Sequence, residues 1–146
     1  MAGPPPLLPP IGLRLARSAR VVSQAFERAL AEVGGSVASW QVLVLVRAQT
    51  WGTQAEMAEA MGITGATLTH HLNALERKEL VRRWREEHNR RSQHVELTEE
   101  GVELFDRLRT VAMAHDERLR SQLSDDELTQ LAGLLEKLVA GLHESP

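Results

Sequence analysis

Two helical patterns meet at a single glycine in this chain, and that junction limits what it can fold into more than any other feature. Gln54-Ala-Glu-Met-Ala-Glu-Ala-Met-Gly62 runs directly into Ile63-Thr-Gly-Ala-Thr-Leu-Thr-His-His-Leu72. Ala58 is small enough to let two helices approach, Gly62 permits the tight turn, and Leu68 packs the second helix back on the first. The spacing predicts a helix-turn-helix. Beyond it, Leu80 to Leu97 reads as a hairpin. Val95 and Leu97 alternate with His94 and Glu96, as a half-buried return strand should. The outgoing arm, Val81-Arg-Arg-Trp-Arg85, alternates less cleanly, and Glu87-His-Asn-Arg-Arg-Ser92 is expected to form the polar turn. A helix of major-groove size with a basic hairpin beside it implies a surface for double-stranded DNA.

The charge distribution agrees with that surface, although the net charge of −3 does not. From Arg82 to His94 five arginines stand against two glutamates, a local +3, while Glu99 to Pro146 holds eleven acids against five bases, a local −6. One face is therefore suited to phosphate and another is not. There are no cysteines, which excludes disulfides, thiolate zinc sites and thiol-based sensing. His70 and His71 are adjacent rather than one helical turn apart, so their rings do not converge on one ion, and no metal or other cofactor is expected. No phosphate-binding glycine loop, nucleophile elbow or paired carboxylate motif is present, so no catalytic residue is assigned and an enzyme is not expected. No apolar run reaches the ~18 residues of a membrane span, and the proline-rich start lacks the pattern of a secretory signal. A cytoplasmic protein without membrane association is the expectation.

Residues 1–10 hold five of the six prolines and are expected to be an extended, disordered tail. Residues 11–35 read as one long helix, with Leu15, Ala19, Val22, Phe26 and Leu30 on a stripe, stopped by Gly34-Gly35. Residues 36–97 form the DNA-binding segment. Ser36 is placed to cap its first helix, Thr50 to Gly52 is a break or a short third strand, and Thr53 with Glu56 matches a capping box. Residues 98–146 carry two further helices, the second opened by a capping box at Ser124 and Glu127 and striped by Leu131, Leu135 and Leu138. The fold class is mainly α. The long helices at both ends carry more apolar surface than the small DNA-binding segment can cover. An intramolecular bundle is one solution. Pairing with a second copy, a two-fold homodimer, is the one favoured here, because two-fold dimers match palindromic DNA.

These residues resemble the MarR family (multiple antibiotic resistance regulators) over nearly the whole chain after the proline tail. Where the family reads Ser-Arg-Ala-Thr-Val-Thr-Arg-Leu-Val-Asp-Arg-Leu-Glu, this chain has Thr64-Gly-Ala-Thr-Leu-Thr-His-His-Leu-Asn-Ala-Leu-Glu76. Gly-Leu-Val-Arg-Arg is matched by Glu79-Leu-Val-Arg-Arg83, and the wing and exit by Asn89-Arg-Arg-Ser92 and Leu97-Thr-Glu-Glu-Gly101. The resemblance implies a winged helix-turn-helix dimer, usually a repressor released by a small aromatic or anionic molecule. The alternative is an architectural or protein-interaction dimer of the same fold without ligand response. Gly65 and His70 replace arginines that often touch DNA, Asn89 replaces an acid that commonly braces the wing, and Glu79 stands where a helix-ending glycine is usual.

A recognition helix presents its first turns to base edges, which selects Thr64, Gly65, Thr67, His70 and His71. Thr64 serves as a base contact, a plain helix cap, or both, and His71 sits at the edge of the Leu68, Leu72, Leu75 stripe. Arg90 and Arg91 are placed for the minor groove, where a narrow groove favours arginine, with Asn89 beside them. Arg82, Arg83 and Arg85 are either phosphate contacts or partners of Glu86, Glu87 and Glu96. For an effector, the resemblance implies a crevice between the dimer helices and the winged segment. There Arg14 and Arg17 would supply charge and Trp40 an aromatic wall.

Overall fold

A computed structural model describes residues 9–48 and 53–143, and for residues 90–92 the backbone alone. The chain runs α1 (Ile11–Ala31), α2 (Val37–Ala48), α3 (Gln54–Met61), α4 (Gly65–Arg77), β1 (Val81–Glu86), β2 (Asn89–Leu97), α5 (Glu99–Arg120) and α6 (Asp125–His143). The two strands form one antiparallel sheet. This is the winged helix-turn-helix order, mainly α with long helices at either end. The break proposed at Thr50 to Gly52 and the first eight residues of the tail lie outside the described residues.

Apart from α1, which follows Pro10 without a side-chain cap, the helix starts are set by side chains the sequence marks. Ser36 and Ser39 cap α2 reciprocally: the Ser39 amide donates to the Ser36 hydroxyl at 3.0 Å and the Ser36 amide to the Ser39 hydroxyl at 2.8 Å. Thr53 accepts from the Glu56 amide at 3.2 Å and Thr64 from the Thr67 amide at 3.1 Å. Ser124 and Glu127 complete a full capping box, each side chain accepting the other's amide. The helix ends share another device. After α1, α3 and α4 the chain closes with a left-handed residue and a pair of backbone bonds, the Schellman arrangement. Gly34 (φ 90°) and Gly62 (φ 67°) occupy it in the first two cases and Glu79 (φ 59°) in the third. At the third, the Glu79 amide donates to the Glu76 carbonyl and the Leu80 amide to the Leu75 carbonyl, both at 2.9 Å.

Contacts divide the described chain into two compact units, meeting between Val111 and Ala112 inside α5. The thirteen buried hydrophobics among the described residues all lie in the first, from Leu30 to Leu108. Ala58 and Leu68 are among them, so the helix-turn-helix spacing holds. Val42, Leu43 and Val46 of α2 pack with Met57 of α3, Leu68, Leu72 and Leu75 of α4, and Val81 and Val95 of the hairpin. One approach is closer than any side chain allows. A Cβ on Gly101 would lie 2.0 Å from the Leu80 carbonyl oxygen. The same junction is tied by Thr98, whose hydroxyl donates to the Glu79 carbonyl and accepts from the Gly101 amide. The hairpin exit is thereby fixed to the end of α4.

In the second unit, α6 has no buried residue. Nor has the first half of α1, whose only buried residue is Leu30 near its end.

Candidate nucleic-acid interface

Helix α4 buries Leu68, Leu72 and Leu75 and leaves Thr64, Gly65, Ala66, Thr67, Thr69, His70 and Asn73 exposed. That is the division a recognition helix needs, one stripe for the core and the opposite face for a groove. Thr64 is a helix cap, and its hydroxyl also meets that of Thr67 at 2.9 Å. Thr69 donates to the Gly65 carbonyl at 2.9 Å. The three hydroxyls are therefore oriented by the helix itself, on residues that are exposed. His70 is exposed and His71 half-buried at the edge of the core. A Cβ on Gly65 would meet nothing within 4 Å, so packing does not force the departure from arginine at that position.

The hairpin register decides which arginines are available. Val81 pairs with Leu97, Arg82 with Glu96, Arg83 with Val95, Trp84 with His94 and Arg85 with Gln93. Side chains alternate along a strand, so Arg83 shares a face with buried Val81 and Val95, and Arg82 and Trp84 share the other. On that outer face Arg82 pairs with Glu96 and lies 5.4 Å above the Trp84 ring, Trp84 stacks on His94 at 5.2 Å, and His94 bonds Glu86 at 3.0 Å. Arg82 and Glu96 of this ladder neutralise each other. On the inner face the Arg83 Nε donates to Glu76 Oε2 at 2.9 Å and its NH2 group to the Asn73 carbonyl oxygen. The expectation that hairpin glutamates partner Arg83 is corrected here: its acceptors are on α4. Through that hydrogen bond, and then its charge, Arg83 holds the Glu76 carboxyl below the ordinary carboxylate range.

The turn is also tighter than its sequence implies. Only Glu87 and His88 form it, and Asn89 to Ser92 belong to β2. The ladder breaks between Arg85 and Glu86, which pair with Gln93 and Asn89. The β2 side of this register shift is the stretch Arg90 to Ser92. Exposed Asn89 pairs with Glu86 at the end of the ladder.

The candidate effector residues separate. Trp40 stacks on Phe105 at 5.5 Å and lines a cavity of about 200 Å³ with Gln41, Val44, Leu45, Ala60 and Met61. Arg14 and Arg17 are exposed on α1 and are not part of that lining, which carries no charged side chain. Asn73, Glu76 and Trp84 are site residues that sequence reasoning missed. The signal for the first two was their spacing, one helical turn apart and followed by an arginine at a nominally inward strand position.

Comparison with known proteins places these elements in a family. A sequence profile described as the MarR family matches residues 36–93. The structure of CouR from Rhodococcus jostii RHA1 bound to p-coumaroyl-CoA is 30% identical, with a TM-score of 0.74 over 89% of this chain and 92% of that one. CouR, a transcriptional repressor, is also known on a 23-mer DNA duplex. The S. aureus MepR–DNA complex is 25% identical, with a TM-score of 0.81 over 90% of this chain and 98% of that one. The HTH-type transcriptional regulator PecS of Dickeya dadantii (strain 3937) is 27% identical over 124 residues, 83% of this chain and 75% of PecS.

Proposed function

Because this chain belongs to the MarR family, we propose that it is a homodimeric transcriptional repressor that binds a palindromic operator and is released by a small ligand. The observation that carries the DNA half is the pairing of α4, its polar first turns exposed and its far side buried, with a wing whose ladder shifts register at Arg90 to Ser92. Thr64, Gly65, Thr67, His70 and His71 are assigned to the major groove, and Asn89, Arg90 and Arg91 to the minor groove. Arg82 is assigned to the flanking phosphates, which it reaches by exchanging Glu96 for the DNA backbone. The structures of CouR and MepR bound to DNA support the reading.

Dimerisation follows from the exposed leucines of α6 and the exposed first half of α1, since soluble chains rarely leave such stripes open. Release by a ligand is supported by the p-coumaroyl-CoA complex of CouR. In this chain the aromatic part of an effector fits the cavity beside Trp40, and an anionic part would need Arg14 or Arg17. Ala60 and Met61 line that cavity one step before Gly62, so a ligand there bears directly on the turn that aims α4.

The test is a titration, at fixed salt, of random duplex against duplex selected by the protein from genomic fragments. A regulator favours its site by ~10³-fold or more, whereas an architectural dimer does not. In the same assay Arg90→Ala weakens selected-site binding by about 1–3 kcal/mol with the dimer intact. Unchanged affinity in a folded variant removes the wing from the reading.

A further inference from the structure

We infer that Arg83 is a positioning residue that locks the wing onto the recognition helix, and that it makes no contact with DNA phosphate. The inference rests on the DNA-binding reading above and reverses the role its place in a basic run suggests. Its side chain is 14% exposed, against 68% for neighbouring Arg82. The register explains the contrast: Arg83 faces α4 with Val81 and Val95, and Arg82 faces away. The guanidinium is rigid and planar with five donors, and it spans two acceptors one helical turn apart, Glu76 and Asn73. Arg82 is exposed enough to exchange its carboxylate for a phosphate, whereas the Arg83 guanidinium is largely covered and held by two acceptors on α4, and Glu76 would itself repel a phosphate brought to it.

The bond to Asn73 has a consequence for readout. Arginine has donors only, so the Asn73 atom it meets is the carbonyl oxygen. That leaves the NH2 end of Asn73, on the exposed side of α4, as the donor available to DNA. Paired recognition of adenine by asparagine uses both amide ends. With one end engaged, Asn73 is directed to acceptors such as guanine N7 and O6, thymine O4 or a phosphate. Arg83 thus fixes both the angle of the wing and the chemical sense of one recognition-helix side chain.

The experiment compares full-length Arg83→Ala, Arg83→Lys and Glu76→Ala with wild type on the selected duplex, by fluorescence anisotropy across a salt series. Circular dichroism and sedimentation serve as controls for folding and assembly. Lysine keeps the charge but not the fork, so both Arg83 variants should lose affinity about tenfold. The salt slope of each should stay at the wild-type value, because no phosphate contact is lost. Glu76→Ala should also bind several-fold more weakly, although removing an anion beside DNA would otherwise tighten binding. Wild-type affinity for Arg83→Lys, a slope shallower by ~0.9, or tighter binding by Glu76→Ala would each overturn the inference. If Arg83→Ala does not fold, the other two variants carry the decision. A wild type without preference for the selected duplex would sink the regulator reading instead. The slopes on random duplex would still decide whether Arg83 meets phosphate.

Discussion

The winged segment and the long helices at the chain ends face the same task, removing apolar side chains from water, and complete it to different degrees. Between α2 and the first half of α5 the core is closed, and among the described residues no polar or charged one is buried in it. The starts of α2, α3 and α4 are capped, and the strands are tied to α4 and α5 through Arg83 and Thr98. Of the fourteen large exposed hydrophobics among the described residues, thirteen lie on α1, the later part of α5 and α6, and Trp84 alone lies in the wing. Even Trp84 is stacked against His94 and Arg82. The first region is finished by its own sequence. The second leaves apolar stripes of amphipathic helices exposed, the condition in which helices associate with another copy. The contrast separates two kinds of chemistry, one that specifies a shape and one that specifies an assembly.

The strongest way to break this comparison is to charge α6. Leu135 and Leu138 are already exposed, at 38% and 44%, so lysine at both positions should leave helix content unchanged. Assembly should change instead. Leu135→Lys with Leu138→Lys is expected to sediment as a monomer and to bind the palindromic duplex about a hundredfold or more weakly, since two linked half-sites become one. A wild type that is itself monomeric would show that the apolar stripes are covered within the chain and would remove the palindrome expectation with them.

Gly101→Ala probes the finished region. Its Cβ would sit 2.0 Å from a backbone carbonyl, which cannot rotate aside as a side chain can. The hairpin exit must then move away from the end of α4, at a cost of about 1–3 kcal/mol in unfolding stability. Chemical denaturation of the isolated protein reads this directly. An unaltered midpoint would mean that the junction between α4, the hairpin and α5 is looser than its hydrogen bonds indicate.

Much of this architecture is legible in the sequence because its signals are local. Caps at Ser36, Thr53, Thr64 and Ser124 depend on a hydroxyl and a nearby amide, and glycine stops at Gly34 and Gly62 depend on one backbone torsion. The period of the α6 leucines marks it as amphipathic without reference to the rest of the chain. What escapes is set by pairing across distance. The role of Arg83 depends on strand register and on two α4 residues that precede it, and the poor alternation of Val81 to Arg85 is the trace that an arginine has taken an inward position. The turn escapes for the same reason: nothing in Asn89 to Ser92 shows that the ladder resumes at Asn89 and shifts register before Gln93. The proline tail beyond its last two residues and the break at 50–52 lie outside the described residues, so those expectations stand as sequence readings.

Glu79 offers the smallest and most specific test of how the finished region is specified. It holds φ at 59°, a conformation that crowds the Cβ of any L-residue and that glycine adopts freely. The two hydrogen bonds that close the end of α4 there use only backbone atoms, as does the Glu79 carbonyl that accepts from Thr98. Glu79→Gly therefore keeps every one of these bonds and removes the crowding. Against that gain stands the greater freedom of glycine in the unfolded chain, so the net effect is small, a stabilisation of about 0.5–1 kcal/mol. The sign is the informative part, because most substitutions destabilise. Thermal unfolding should shift upward while affinity for selected duplex stays the same, since the exposed face of α4 is untouched. A lower midpoint would show that the Glu79 carboxylate contributes more through its surroundings than its backbone strain costs, and would move this position from the local signals to the distant ones.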